Sequence, residues 1–150
     1  MFKAAVTSAA LAFLLLSTPV RAQSLGTAAE AKAMLEKATA ELKAGEAAAL
    51  AKFNNKDGGF RDRDLYVFCY NTSDGKFTAH PNPALMGTDI RALKVKNDPL
   101  GQRIFDTAKA GSVLTVAYDF PKPGTTEPAV PKESYVTVAG GQGCGVGYYK

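Results

Sequence analysis

The stretch from Asp64 to Pro83, DLYVFCYNTSDGKFTAHPNP, constrains the fold of this chain more than any other. Its first part, Leu65 to Tyr70, is a short run of apolar and aromatic residues rich in β-formers, which predicts a buried strand. The sequence Ser73-Asp74-Gly75 supplies turn chemistry, so residues 76–80 are expected to return as a second strand. Pro81 and Pro83 then end the pairing. The stretch therefore predicts a β-hairpin.

His80, the single histidine of the chain, lies where the second strand must end. The ends of strands that face loops are common places for binding groups. His80 is therefore a candidate ligand-binding residue. The alternative is that a histidine immediately before a proline only caps a turn.

Residues 1–22 have the pattern of a secretory signal peptide. Lys3 supplies a positive charge, residues 4–16 are mostly apolar, and Val20-Arg21-Ala22 resembles a cleavage site. The apolar run is shorter than the roughly 20 residues that a membrane span needs. We therefore expect a periplasmic protein with one domain over residues 23–150, an uncleaved anchor being the alternative.

The formal net charge of +4 includes two positive charges in this leader. The other basic residues are scattered and form no dense stripe of lysine and arginine. This distribution argues against nucleic acid as a partner.

Residues 25–53 are predicted to form one long helix, with a possible break at Gly45. Apolar residues recur at helical spacing along one face: Ala28, Ala31, Leu35, Ala38 and Leu42. This face could pack on its own domain or form a homodimer.

A second helix is expected to begin with Asp98 as N-cap and Pro99 at the first position, and to end near Lys109 and Gly111. Residues 112–120, 133–139 and 143–149 are predicted strands. Two hairpin-like pairs with short connections favour an α+β fold with an antiparallel sheet and the helices on one face.

The segment LYVFCYNTSDGKFTAHPNPALMGTDI resembles the single Cache domain, the extracytoplasmic relative of PAS folds in bacterial chemoreceptors and sensor kinases. AYDFPKP and PKESYVTV resemble the third and fourth strands of the same family. The resemblance covers residues 28–149 and implies a five-stranded PAS-like sheet in the order 2-1-5-4-3. It also implies a small-ligand pocket between the sheet and residues 81–110. The chain departs from the family in having no tryptophan and in carrying cysteines on two strands.

Domains of this family commonly bind small carboxylates, and a carboxylate in a partly apolar pocket needs a cation or several donors. The resemblance implies ligand contact most directly for Lys132 and Tyr118, and less directly for Tyr135 and His80. The competing interpretation is that a tyrosine on a strand packs in the core and does not contact a ligand.

Cys69 and Cys144 form an even pair in a chain expected to be exported, which favours a disulfide. The implied strand order makes their strands neighbours. Metal or catalytic use is less favoured, because there is no C-x-x-C motif and only one histidine. Asp62 and Asp64 are interpreted as solvated residues before a strand. No catalytic set and no cofactor is expected.

The sequence thus predicts an exported, non-enzymatic module that binds a small molecule, with a carboxylate as the expected ligand and a membrane receptor or kinase as possible partner. The alternative is a structural or interaction protein that works through residues 25–53 and has a vestigial pocket.

Overall fold

The computed structural model of the protein describes residues 24–150. The predicted leader, residues 1–22, lies outside the described residues. Within the described part, no helix is both long and apolar enough to cross a membrane. The helices are α1 (Ala28–Ala44), α2 (Glu46–Asn54) and α3 (Leu100–Thr107). The strands are β1 (Arg61–Asp62), β2 (Leu65–Asn71), β3 (Phe77–Ala79), β4 (Leu114–Pro121), β5 (Ala129–Ala139) and β6 (Gln142–Tyr149).

The predicted sheet is confirmed. Its five main strands are antiparallel neighbours in the order β3-β2-β6-β5-β4, which is the expected order 2-1-5-4-3. The two-residue β1 adds a sixth strand, paired with the start of β2. Because β2 lies inside the sheet and is covered on both faces, its run of apolar residues shows no alternation.

The predicted long helix is two helices. α1 begins with a capping box in which Thr27 and Glu30 exchange hydrogen bonds, and α2 begins after Gly45. Gly45 has extended backbone angles (φ 173°, ψ 107°), which interrupt the helical path. The apolar positions of α1 are buried against β2, β5 and β6: Ala31, Leu35, Ala38 and Leu42.

The helices lie on opposite faces of the sheet, and the expectation that they share one face is wrong. One core layer joins α1 and α2 to Val67, Cys69 and Val146, whereas the other joins α3 to Phe68 and Val136. The physical reason is that β2 presents large apolar side chains in both directions, so that both faces need cover.

Two predicted boundaries differ slightly from the structure. α3 has Pro99 as its N-cap residue, while Asp98 forms an ion pair with Arg103 (2.6 Å) instead of capping the helix. β5 begins at Ala129, earlier than the predicted start at Glu133. Its first three residues, up to Pro131, pair only with β4, and its pairing with β6 begins at Lys132. Lys132 therefore lies within a strand and not at its start.

Cys69 and Cys144 are directly opposite each other in β2 and β6 and form the predicted disulfide. The bridge lies in the core layer beneath α1.

Candidate functional site

A cavity of about 420 Å³ lies between the sheet and the segment that includes α3, as the resemblance implied. Most of its lining is apolar: Phe68, Phe77, Ile90, Leu93, Leu100 and Ile104. His80 and Tyr118 are among its polar lining residues. We refer to this space as the apolar cavity. Cavities of this size, with an apolar lining and a few polar groups, are typical of small-molecule sites.

A second cavity of about 440 Å³ adjoins the first. Tyr66 and Phe120 line both, so their rings form the common wall. The second space is enclosed further by Asp64, Lys132, Tyr149 and the loop that follows β4. We refer to it as the charged cavity.

Lys132 projects from β5 and is only 3% exposed. Its Nζ lies 4.6 Å from the ring centre of Tyr149, 5.2 Å from that of Phe120 and 5.3 Å from that of Tyr66. Burial lowers the pKa of Lys132 to about 8, although the negative charge of Asp64 opposes this shift. At pH 7 the side chain is a largely protonated cation in an aromatic enclosure.

Tyr118 lies in β4 with its hydroxyl 2.8 Å from the Oγ of Ser134, a fully buried residue of β5. Burial raises the pKa of Tyr118 above its usual range, so the hydroxyl stays protonated. It is therefore a neutral hydrogen-bonding group in the wall of the apolar cavity.

His80 follows β3 and packs edge-on against the rings of Tyr66 and Phe77, each 5.4 Å away. Its Nδ1 accepts a hydrogen bond from the backbone N–H of Asn82 (2.9 Å). The neutral ring must therefore carry its proton on Nε2, which is the donor that His80 can offer to a ligand.

Tyr135 lies on the other face of the sheet. Its ring stacks on that of Tyr148, with centroids 5.5 Å apart, and packs against the core layer beneath α1. The alternation of side chains along β5 explains this, because Lys132, Ser134 and Val136 lie on the face of the sheet that carries the cavities and the residues between them lie on the other face. The structure thus brings Lys132, Tyr118 and His80 to the two cavities and separates Tyr135 from them.

Two features of the site were missed from the sequence. Asp64 was interpreted as solvated, but it is 5% exposed and lines the charged cavity, so that interpretation is wrong. The other feature is the series Gly143, Gly145 and Gly147, where added Cβ atoms would collide with Tyr70, Phe68 and Lys132. The available signal was a glycine at every second position of a strand, because this spacing leaves one face of β6 without side chains.

Gly147→Ala tests this close packing. The new methyl group would lie 2.8 Å from both Lys132 Cε and Ser134 Oγ and 3.0 Å from the Tyr118 hydroxyl. We expect a loss of about 1–3 kcal/mol in the free energy of unfolding, measured in urea, and weaker ligand binding as Lys132 and Tyr118 move. Gly45→Ala is the matched control, since its Cβ meets nothing within 4 Å. A Gly147→Ala protein as stable as the wild type would contradict the packing.

The pKa of His80 gives a prediction of pH dependence. Burial lowers this pKa from 6.5 to about 4. Between these values the unfolded chain binds a proton that the folded protein does not, so stability falls as the pH drops from 6.5 towards 4. The contribution is up to about 1.4 kcal/mol per pH unit in this window. Urea unfolding at pH 7 and pH 5 should show a smaller loss in His80→Asn, which keeps an acceptor for Asn82. Equal losses in both proteins would contradict it.

Comparisons with known proteins agree with this fold. A family model described as the Cache domain matches residues 25–139. The structure is similar to the periplasmic sensor domain of a chemotaxis protein, at 30% identity and a TM-score of 0.56, covering 79% of this chain and 86% of that one. It is also similar to a Cache chemosensory domain described as recognising carboxylic acids, at 25% identity and a TM-score of 0.53, covering 79% and 84%.

A methyl-accepting chemotaxis protein from Vibrio parahaemolyticus shares the fold at 21% identity and a TM-score of 0.60, covering 81% of this chain and 86% of that one. No curated protein matches the chain. Cache domains are non-enzymatic ligand-sensing domains, which confirms the prediction that the chain is not an enzyme. The match over residues 25–139 shows that this chain belongs to the Cache domain family.

Proposed function

We propose that this protein is an exported sensor domain that binds a small carboxylate at the common wall of the two cavities. The ligand's carboxylate pairs with Lys132 in the charged cavity, and the rest of the molecule packs against Tyr66, Phe120 and the apolar cavity. Tyr118 and His80 supply further hydrogen bonds. Tyr135, on the opposite face of the sheet, takes no part.

The observation that carries this proposal is the state of Lys132. Its ammonium is buried, and no described residue forms an ion pair with it. A buried charge without a counter-ion is costly, and the lowered pKa reflects this cost. An anionic ligand supplies the counter-ion, so that its binding offsets the cost of burying this charge.

The comparisons support the ligand class. One similar structure is described as a Cache domain that recognises carboxylic acids. The apolar cavity limits what accompanies the carboxylate, because eleven of its thirteen lining residues are apolar or aromatic. A small organic acid with an apolar body fits such a space better than a highly charged one.

We further propose that export depends on residues 1–22 and that the bound state is passed to a membrane receptor or kinase. Periplasmic location is supported by the similar periplasmic sensor domain. The competing idea, an interaction protein working through residues 25–53, has less support because the alanine-rich face of α1 is covered by the chain's own sheet. A homodimer through this region would have to use the outer, charged face.

A thermal-shift screen of the mature, ligand-free protein against small carboxylates, amino acids and amines tests the proposal. We expect the melting temperature to rise with one or more carboxylates and to stay unchanged with simple amines. Hits are then measured by calorimetry on the wild type. Stabilisation by no compound would contradict ligand binding and favour the interaction protein.

A further inference from the structure

Ser134 carries a buried hydroxyl that the proposed function leaves unused. It lies in β5 with none of its surface exposed, between Val116 of β4 and Gly147 of β6. Burying a hydroxyl in such surroundings is costly unless it forms a hydrogen bond. Within residues 24–150 its Oγ has one partner, the Tyr118 hydroxyl, which is 2.8 Å away. The role of Ser134 therefore depends on what this one hydrogen bond does.

The direction of this hydrogen bond follows from the hydrogens of the two hydroxyls, because only one of them can lie between the oxygens. If Tyr118 donated, the hydrogen of Ser134 would be fully buried with no other acceptor in the described part of the chain. If Ser134 donates, the remaining hydrogen belongs to Tyr118, which lines the apolar cavity. Only the second arrangement allows both hydrogens to be bonded, once an acceptor occupies the cavity.

We infer that Ser134 is a positioning residue: it donates to Tyr118 and so makes Tyr118 a donor to an oxygen of the bound carboxylate. This inference rests on the proposed function and adds the direction of its hydrogen bonds. Because Ser134 occupies one side of the tyrosine oxygen, the tyrosine hydrogen is directed to another side. Successive hydrogen bonds also polarise one another, which strengthens the bond to the ligand.

The packing around Gly147 brings this donor close to Lys132. A Cβ atom on Gly147 would lie 2.8 Å from Ser134 Oγ and 3.0 Å from the Tyr118 hydroxyl. The same atom would lie 2.8 Å from Lys132 Cε. The two hydroxyls and the lysine stem thus surround one point on β6. A single carboxylate can then accept from both the ammonium and the tyrosine, and two donors fix its orientation.

Raman spectroscopy of the ligand-free protein tests the direction of the bond. The intensity ratio of the tyrosine Fermi doublet depends on whether the hydroxyl accepts or donates a hydrogen bond, and the difference between the wild type and Tyr118→Phe isolates Tyr118. We expect an accepting hydroxyl in the wild type and loss of this signature in Ser134→Ala. A Tyr118 that donates without accepting, or that is unchanged in Ser134→Ala, would overturn the inference. Since no ligand is needed, the result is independent of the proposed function.

Calorimetry with propionate tests the effect on binding. Ser134→Ala should weaken the affinity roughly three- to tenfold, and in a Tyr118→Phe background it should cost nothing further, because the serine acts through the tyrosine. Ser134→Cys keeps a weak donor and should restore part of the affinity. Thr137→Val is the matched control, since it removes another buried hydroxyl of β5, on the opposite face of the sheet, and should leave the affinity unchanged.

Two results of the binding experiment would overturn the inference. One is an unchanged affinity for propionate in Ser134→Ala, and the other is a loss of the same size with and without the Tyr118 hydroxyl. The proposed function would still stand in both cases if Lys132→Met weakens the binding of propionate.

Discussion

Loss of the Cys69–Cys144 bridge is expected to lower the free energy of unfolding by about 4 kcal/mol. The two cysteines are 75 residues apart, and cross-linking a loop of that length restricts the unfolded chain by roughly this amount in the chain-entropy model. For a domain of this size the melting temperature should fall by roughly 10–20 °C. Thermal unfolding of the wild type with and without reductant, with intact mass to verify reduction, measures the effect.

Cys69→Ala/Cys144→Ala is the control for this experiment. It should melt near the reduced wild type, a little lower because two buried sulfurs are lost beneath α1, and reductant should not change it. Quantitative alkylation of two thiols in the native, unreduced protein would contradict the bridge. So would a reduced wild type that melts at the same temperature as the oxidised one.

Replacing Lys132 with methionine should weaken ligand binding without lowering the stability of the fold. Methionine keeps an unbranched stem in the aromatic enclosure and removes the charge. Binding of a carboxylate should weaken roughly 30- to 150-fold, or about 2–3 kcal/mol, because the charge-assisted hydrogen bond is lost. The free energy of unfolding at pH 7 should be equal or higher.

The sign of the stability effect follows from linkage. The pKa of Lys132 is about 8 in the folded protein, whereas the ordinary value of a lysine is 10.5. Folding therefore disfavours the protonated side chain, and this cost is fully present below pH 8 and is relieved as the pH rises towards 10.5. In the wild type, carboxylate affinity should fall about tenfold per pH unit above 8 as the ammonium is lost. Calorimetry from pH 7 to 9.5 on both proteins makes the comparison; an unchanged affinity in Lys132→Met would move the carboxylate elsewhere.

Lys132→Arg is a further comparison, because it keeps the charge. The wider guanidinium fork does not fit an enclosure formed by three rings, so binding should also weaken. Full affinity in this variant would mean that charge alone, and not the shape of the enclosure, selects the ligand.

The order of strands and the disulfide could be predicted because they follow from local patterns and a family resemblance. The run from Leu65 to Tyr70 marked β2 as a strand buried on both faces, and the position of Cys144 in the neighbouring β6 followed from the implied order. The faces of the two helices could not be predicted, since an apolar stripe does not say which side of a sheet it covers.

The side chains of the site were harder to place because their direction depends on strand register. β5 starts four residues before the predicted Glu133, and alternation along it sends Lys132 to the cavities and Tyr135 to the opposite face. Asp64 could not be recognised as buried, because its burial depends on Gly26 and on the loop after β4, both distant in sequence.

A crystal structure of the protein with the acid that gives the largest thermal shift would test the central claim most directly. We predict a ligand carboxylate about 3 Å from the Nζ of Lys132, with the rest of the molecule against Tyr66 and Phe120. An acid that is ordered elsewhere on the protein, with Lys132 still lacking an anionic partner, would contradict the account.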